Sequence, residues 1–347
     1  AQLGTVFEKM QRVRKLAAEI APLVGADPKL AERAATLAKA DLTTGMVGEF
    51  PELQGVMGRY YANNDGEDAA VVAAIAEHYS PLGPGNKVPT APVSIAVALA
   101  DKLDTLTGFF AIDEKPTGSK DPFALRRAAL GVIRIVLENS IAISLNDALE
   151  LAVKPFSLHK AESVPTATLD IPFPLDVFVF LKDRLRVYLR DKGVQHDFLA
   201  AALSHIEGDF VRVTRRLQAL QTALSTEHGA SLVSANRRAS NILKAEEKRD
   251  GYDYSGVVDP KRLIEPAEKA LFKHLRHVKK HTDDALKRSD FDFVYELLGQ
   301  LREPIDAFFD KVTVNVKDQA LRENRLRLLM LAQAELNKIA DLSQIEG

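Results

Sequence analysis

The chain has 347 residues, and 46 Lys or Arg against 48 Asp or Glu give it a formal net charge of −2 at pH 7. That length predicts two or three domains, and a content of 46% apolar and 27% charged residues is typical of a globular protein. The absence of cysteine excludes disulfides, cysteine-ligated zinc and a thiol nucleophile. No apolar run is long enough to span a bilayer, so we expect a cytoplasmic protein with no membrane contact. Because the chain opens at Ala1 rather than at methionine, we expect it to be part of a longer protein.

Helical periodicity predicts an all-α fold, because apolar residues recur at three-to-four spacing along most of the chain. The predicted helices cover residues 9–24, 28–40, 68–78, 93–110, 123–137, 175–191, 196–224, 230–248, 260–286, 289–301 and 318–342. A proline-containing stretch at 153–174 and a break near His228 and Gly229 interrupt this pattern. These interruptions divide the chain into predicted domains at 1–155, 156–228 and 229–347.

The segment LAKADLTTGMVGEFPELQGVMGRYYA at residues 37–62 sets charged, glycine and proline residues too densely for simple core-packing helices. We therefore expect this segment to form a functional surface. With ALADKLDTL at 98–106 and PTGSKDPFALRRAALG at 116–131, it closely resembles the beta subunit of the bacterial-type, two-subunit glycyl-tRNA synthetase. That resemblance implies that residues 1–155 form an HD-type helical domain.

The metal-binding pattern of the HD superfamily is present only in part. The superfamily joins a histidine-aspartate pair to an earlier histidine and a later aspartate. Here Ala40 precedes Asp41, no histidine comes before His78, and Asp101 resembles the late aspartate. Asp41, His78 and Asp101 are therefore the candidate remnant of an HD site, with no metal expected because too few ligands remain. In the structural alternative, Asp101 makes helix-surface ion pairs and His78 sits favourably at a helix C-terminus.

A second resemblance covers the last region. ASNILKAEE at 239–247 and PIDAFFDKVTVNVKDQALRENRLRLL at 304–329 resemble the helical anticodon-binding domain at the C-terminus of arginyl-tRNA synthetases and of glycyl-tRNA synthetase beta subunits. LKDRLRVYLRDKGVQHDFLAAAL at 181–203 fits the beta subunit only. The resemblance thus spans nearly the whole chain and lacks the N-terminal half of that subunit. It implies an HD-like domain, a helical linker region over 156–228 and an anticodon-binding domain over 229–347.

The charge of the last domain suits RNA, because residues 231–290 hold 14 Lys or Arg against 10 Asp or Glu. We expect exposed basic ridges and exposed aromatic residues that stack bases. The candidate RNA-binding residues are Arg237, Arg238, Lys244, Tyr252, Tyr254, Arg322 and Arg325. Alternatively, the two tyrosines pack as a loop plug. His274, His277 and His281 share a helix face, but the lysines and arginines between them favour a solvated basic face, open to RNA, over a metal site.

No adenylation motif, phosphate-cradling glycine loop or nucleophile elbow occurs in the chain. The resemblance implies that glycine, ATP and Mg²⁺ are used by the alpha subunit, so no cofactor is expected here. We expect this chain to position tRNA-Gly within a heterotetramer of two alpha and two beta chains, and to aminoacylate nothing alone. The C-terminal domain would read the anticodon region and the HD-like domain would touch the acceptor side. The alternatives are a metal-dependent HD-type phosphohydrolase acting on nucleotides or RNA, and a structural module that docks other subunits.

Overall fold

The computed structural model describes residues 2–160, 173–204 and 207–346. These residues form helices and loops, with an isolated bridge between Thr117 and Lys120 and no strand. The predicted all-α fold is confirmed, since 72% of the structure is helical. In the part of the chain that is described, no helix has the length and apolarity needed to cross a bilayer.

Sixteen α-helices follow one another along the described residues. Their bounds are α1 Val6–Ile20, α2 Pro28–Leu37, α3 Gly45–Glu49, α4 Val56–Asn64, α5 Ala69–Glu77, α6 Pro92–Ala111, α7 Leu125–Glu138, α8 Leu145–Lys160, α9 Phe173–Asp191, α10 His196–Ala202, α11 Phe210–Leu224, α12 Glu227–Asp250, α13 Pro266–Lys287, α14 Phe291–Gly299, α15 Arg302–Lys311 and α16 Gln319–Leu336. Two compact units result. The first holds the described residues up to Asp191 together with Glu207–Val211, and the second holds the others.

The first unit is built around α6. This helix starts with Pro92, which lacks the N–H that a first helical residue leaves unbonded. It is buried on nearly all sides, as Val97, Ala98, Leu99 and Ala100 show, since these four consecutive residues are fully buried. The helices α1, α2, α5, α7, α8 and α9 all pack against it. Any charged residue on α6 therefore needs a partner inside the unit.

The second unit has its core between α12, α13 and α16, with α14 and α15 packed against them. Its fully buried apolar residues include Leu271, Leu275, Val294, Leu298, Phe308, Leu326 and Leu329. The long helix α12 begins after Thr226, whose hydroxyl accepts the Gly229 N–H at 3.2 Å. It ends at Gly251, whose φ of +77° is the left-handed conformation that glycine adopts without strain. Local sequence signals thus set both ends of α12.

Three sequence predictions differ from the structure. The single helix expected over 196–224 is wrong, because α10 ends at Ala202 and α11 starts at Phe210. Between them the Gly208 carbonyl accepts the Leu145 N–H at 3.0 Å, and a Cβ at Gly208 would crowd Ser144. The helices α3, α4, α8 and α15 are not among the predicted helices. The stretch expected to be irregular at 153–174 begins inside α8, which runs to Lys160, and residues 161–172 lie outside the described residues.

Gly229 has no room for a side chain, so Gly229→Ala should destabilise the second unit. A Cβ there would overlap the backbone carbonyl of Ala223, which cannot move aside without moving the end of α11. We expect a loss of about 1–3 kcal/mol in the free energy of unfolding. Urea denaturation followed by circular dichroism measures this loss.

Gly299→Ala is the matched control, because nothing lies within 4 Å of a Cβ at that helical glycine. It should be neutral or stabilise by up to about 1 kcal/mol. Equal unfolding midpoints for the two variants would contradict the close packing of Gly229.

Candidate functional site

Asp41 is buried and serves as a helix cap. It lies in a short 3₁₀ turn, Ala40–Thr43, after α2. One carboxylate oxygen accepts the backbone N–H of Gly55 at 2.6 Å and that of Gly58 at 3.0 Å, at the start of α4. A Cβ at Gly58 would meet Ile75 and this carboxylate. Asp41 therefore fixes the segment between the 3₁₀ turn and α4 in place.

His78 is fully buried at the end of α5. Its Nδ1 lies 2.8 Å from the Ile75 carbonyl oxygen, which can only accept, so Nδ1 carries the proton. Nε2 then accepts from the Lys39 ammonium at 3.0 Å. Burial, together with the nearby charges of Lys39 and Lys102, lowers the pKa of His78 to about 3. The imidazole is therefore neutral at physiological pH.

Asp101 lies on α6, and two ammonium groups compensate its charge. One carboxylate oxygen is 3.2 Å from Lys9 Nζ and 3.4 Å from Lys39 Nζ. Burial alone would raise the pKa of Asp101, but Lys9 and Lys39 hold it below its usual range. The aspartate is therefore ionised inside the unit.

The Lys39 ammonium lies between His78 and Asp101, where a metal shared by these two side chains would have to lie. It is also 4.1 Å from the centre of the Tyr79 ring. A divalent cation there would meet a like charge, and the Asp41 carboxylate already binds backbone N–H groups. Among the described residues, no group of three or more His, Asp or Glu converges as a metal site would require. The residues present do not fit a metal.

The sequence predicts Asp41, His78 and Asp101 as one candidate site but does not show which residue lies between them. The structure links His78 to Asp101 through Lys39, whereas Asp41 turns to the backbone of α4. The signal for Lys39 was its position two residues before Asp41, on the expected site segment.

In the second unit, Arg322 is buried and does not form an exposed ridge. Its guanidinium lies between two carboxylates of α12, donating to Asp250 at 2.6 Å and to Glu246. Tyr254 is also buried, and its hydroxyl donates to Asp250 at 2.5 Å. The hydrogen bonds from Tyr254 and Arg322 lower the pKa of Asp250 below its usual range. The expectation that Arg322 and Tyr254 are exposed is wrong, and the loop-plug alternative describes Tyr254.

Arg325 is buried as well, so the expectation of a surface position is wrong for it too. It donates to Glu268 and, at 2.7 Å, to the Thr313 carbonyl. Glu268 in turn accepts the N–H groups of Ile264 at 2.7 Å and Glu265 at 2.8 Å, at the start of α13. Arg325 therefore supports a helix N-terminus, and a role for it in RNA contact stays a prediction.

The other four candidate RNA-binding residues lie at the surface. Arg237 is exposed and donates to the Ile345 carbonyl at 3.1 Å, and Lys244 is exposed on the same helix. Tyr252 is 46% exposed and donates to Glu323 at 3.1 Å. The guanidinium carbon of Arg238 lies 4.2 Å from the centre of the Phe309 ring. These four side chains are accessible to a ligand.

Arg238 and Phe309 belong to a groove that the sequence did not reveal. It lies between α12 on one side and, on the other, the end of α15 with the segment that follows it. Polar side chains stand beside an apolar surface there. The groove is lined by Arg238, Asn241, Ile242, Ala245, Glu246, Phe309, Val312, Thr313, Val314 and Asn315. All of these except Arg238 come from the motifs ASNILKAEE and PIDAFFDKVTVNVKDQALRENRLRLL, so the signal was present in the paired motifs. Asn241 is exposed and has no hydrogen-bond partner among the described residues.

Comparison with known proteins gives two family matches. The family described as "Glycyl-tRNA synthetase beta subunit" matches residues 1–204, and "DALR anticodon binding domain" matches residues 232–346. Three similar proteins are glycine–tRNA ligase beta subunits. That of Dinoroseobacter shibae is 47% identical over 372 residues, which cover all of this chain and 51% of the relative. The beta subunits of Paracoccus denitrificans and Rhodospirillum centenum are 48% and 49% identical to this chain, respectively. All of this chain is matched, and it covers 48% of each relative. The chain thus spans about half the length of these curated relatives.

The neutral, buried His78 makes stability depend on pH. The pKa of His78 is about 3 in the folded chain, against an ordinary value of 6.5. Between these values the unfolded chain binds a proton that the folded chain does not. The contribution of His78 is therefore complete above pH 6.5 and is lost as the pH falls towards 3, by up to about 1.4 kcal/mol per pH unit. Urea denaturation at pH 7.5, 6 and 5 measures the free energy of unfolding at each pH. As the pH falls, this free energy should decrease less for His78→Asn than for the wild type.

The exposed His196 offers the control for this experiment. His196→Asn should keep the pH dependence of the wild type. If His78→Asn kept it too, a buried neutral imidazole could not be its source.

Arg322→Met should destabilise the second unit, because it removes the buried cation between the carboxylates of Glu246 and Asp250 and leaves them only the exposed Arg249. We expect a loss of roughly 3 kcal/mol in the free energy of unfolding, measured by urea denaturation. Adding Glu246→Gln and Asp250→Asn should recover part of it, since the carboxylate charges that Arg322 neutralised are then gone.

Arg237→Met is the matched control, because Arg237 is an exposed arginine of the same unit. Its free energy of unfolding should stay within about 0.5 kcal/mol of the wild type. A stable Arg322→Met protein would show that the ion pair does not hold α12 to α16.

Proposed function

The chain belongs to the glycyl-tRNA synthetase beta subunit family, and from this premise we propose that it is a tRNA-recognition part of glycine–tRNA ligase. In this proposal it binds tRNA-Gly and positions it for the alpha subunit, which activates glycine with ATP and Mg²⁺. The whole enzyme would be a heterotetramer of two alpha and two beta chains. The contribution of this chain to catalysis would be proximity and orientation of the tRNA, without bond chemistry of its own.

The observation that carries the proposal is the groove of the second unit. It lies within residues 232–346, which match an anticodon-binding domain. Its two walls come from separate motifs, one on α12 and one after α15, which folding brings together. Because folding brings both motifs to one surface, this surface is our candidate for the ligand site of the domain.

The groove suits an unpaired base. Single-stranded RNA bases stack on aromatic rings or on arginine planes and present their edges for hydrogen bonding. The Arg238 guanidinium over the Phe309 ring provides such a plane, and the free Asn241 amide can both donate and accept. Arg237 and Lys244, exposed on the same helix, would hold neighbouring phosphates without reading sequence. We assign this groove to a base of the anticodon loop.

The first unit would touch the acceptor side of the tRNA. Its segment 44–60, fixed by Asp41, exposes Phe50 at 43% and Tyr60 at 57%. The Arg59 guanidinium lies 5.0 Å from the centre of the Tyr60 ring. Aromatic rings and arginine planes on a fixed segment suit the unpaired bases of a tRNA 3′ end.

The proposal is tested by titrating the chain with tRNA-Gly, tRNA-Gly with a substituted anticodon and an unrelated tRNA, each at two salt concentrations. We expect a preference for the glycine anticodon that persists at the higher salt, because base contacts depend less on salt than phosphate contacts do. Equal affinity for the three RNAs, or no binding, would contradict anticodon recognition.

Asn241→Ala should lower the preference for the glycine anticodon while the affinity for the unrelated tRNA changes little, since an edge-reading amide discriminates bases. Arg238→Ala should weaken both, with a loss near the ~1–3 kcal/mol of one stacked base. Gln300→Ala removes an exposed amide elsewhere in the unit and is the matched control. If Asn241→Ala and Gln300→Ala behaved alike, the groove would not read a base.

A further inference from the structure

The exposed face of α13 carries a dense set of basic residues. Lys269, Lys273, Arg276 and Lys280 follow one another at four, three and four residues, and all four are exposed. At 3.6 residues per turn they fall within about 60° of the helix circumference, in a line roughly 16 Å long. We call these four residues the α13 stripe. Leu271, Leu275 and Val278 lie on the opposite side of α13 in the core, so the stripe faces away from the core.

The charges of the α13 stripe are uncompensated. No Asp or Glu occurs between Lys269 and His281, and none of the four stripe residues has an ion-pair partner among the described residues. Pairing is common elsewhere in this unit, as for Lys287 with Asp284 at 3.3 Å and Arg262 with Asp259 at 3.4 Å. Four like charges held along one line repel one another unless an anion lies against them.

The chemistry of the stripe fits a polyanion better than a protein. Protein interfaces are anchored by buried aromatic and aliphatic side chains. None of the exposed large apolar side chains of the described residues lies on α13. A nucleic-acid helix presents one phosphate per strand for about every 3.4 Å of its axis, so a stripe of this length runs past several phosphates.

The histidines beside the stripe add to this surface without a metal. His274 and His277 are exposed, and the His277 and His281 rings lie 4.5 Å apart. The Nδ1 atom of His274 is engaged with the Ala270 carbonyl at 2.8 Å. Their ring N–H groups can donate to phosphate oxygens, as can the ammonium and guanidinium groups of the stripe.

We propose that the α13 stripe is a phosphate-contact surface along which the sugar-phosphate backbone of tRNA runs. The proposal rests on the proposed tRNA binding and assigns to α13 a role separate from the groove: the stripe holds the backbone and does not read bases. It predicts contacts that contribute affinity and salt dependence equally for every tRNA.

The test is the variant K269Q/K273Q/R276Q/K280Q, titrated with tRNA-Gly, anticodon-substituted tRNA-Gly and an unrelated tRNA over a series of KCl concentrations. The slope of log affinity against log salt should fall by about 3, from roughly 0.7–0.9 for each lost phosphate contact. The affinities for the three RNAs should fall by the same factor, so the anticodon preference is retained. Because all four side chains are exposed, the circular dichroism melt should not change.

The matched control is K261Q/R262Q/K287Q/R302Q, which removes the same charge from the same unit. Three of these four residues are ion-paired. It should change the salt slope by less than 1. If the two quadruple variants gave equal slopes, the stripe would not be a specific surface.

The outcomes separate the two proposals. Anticodon preference with an unchanged slope in the α13 variant would overturn the stripe and leave the proposed function standing. A stripe-dependent slope without anticodon preference would support the stripe and contradict anticodon recognition. A wild-type chain that bound none of the three RNAs would overturn both.

Discussion

Asp101 lies on the most buried helix of the first unit, where a carboxylate without a counter-charge would cost several kcal/mol. Lys9 on α1 and Lys39, two residues after α2, supply that charge, so the ion pairs tie two parts of the chain to α6 at the centre of the unit. The neutral imidazole of His78 completes the contact by accepting from Lys39. Because an amine occupies this position, the cluster has a structural role, and metal chemistry would require a different residue at position 39.

The second unit separates buried from exposed charge in the same way. Arg322 and Arg325 are enclosed by carboxylates and hold α16 to α12 and α13. Their charges are neutralised within the fold, so little of their field reaches solvent. On α12 and α13, the exposed Arg249 and Lys287 also pair with carboxylates, whereas Arg238 and the α13 stripe have no ion-pair partner among the described residues. The residues that stabilise the unit are thus distinct from those to which the proposed RNA contacts are assigned.

The all-α fold and most of the helices could be predicted from the sequence. Three-to-four apolar spacing gave most helices, since their stability comes from one buried face. This spacing does not show the break between α10 and α11, where the Gly208 carbonyl accepts a hydrogen bond from the Leu145 N–H at the start of α8. The burial of Arg322 and Arg325 was visible in principle: they share a helical face with Leu326 and Leu329, which are fully buried. Charge alone does not indicate exposure there, because an arginine paired with carboxylates can lie inside the fold.

The uneven distribution of charge would orient a polyanion, such as the proposed tRNA ligand, as it approaches this protein. Residues 231–290 carry an excess of four basic residues, whereas the rest of the chain has 32 Lys or Arg against 38 Asp or Glu. A polyanion is attracted to the first set and repelled by the second over a distance of roughly one Debye length, ~8 Å at physiological salt. In the proposed tRNA complex, wrongly oriented encounters would therefore separate early, and the RNA would be aligned before any base is read.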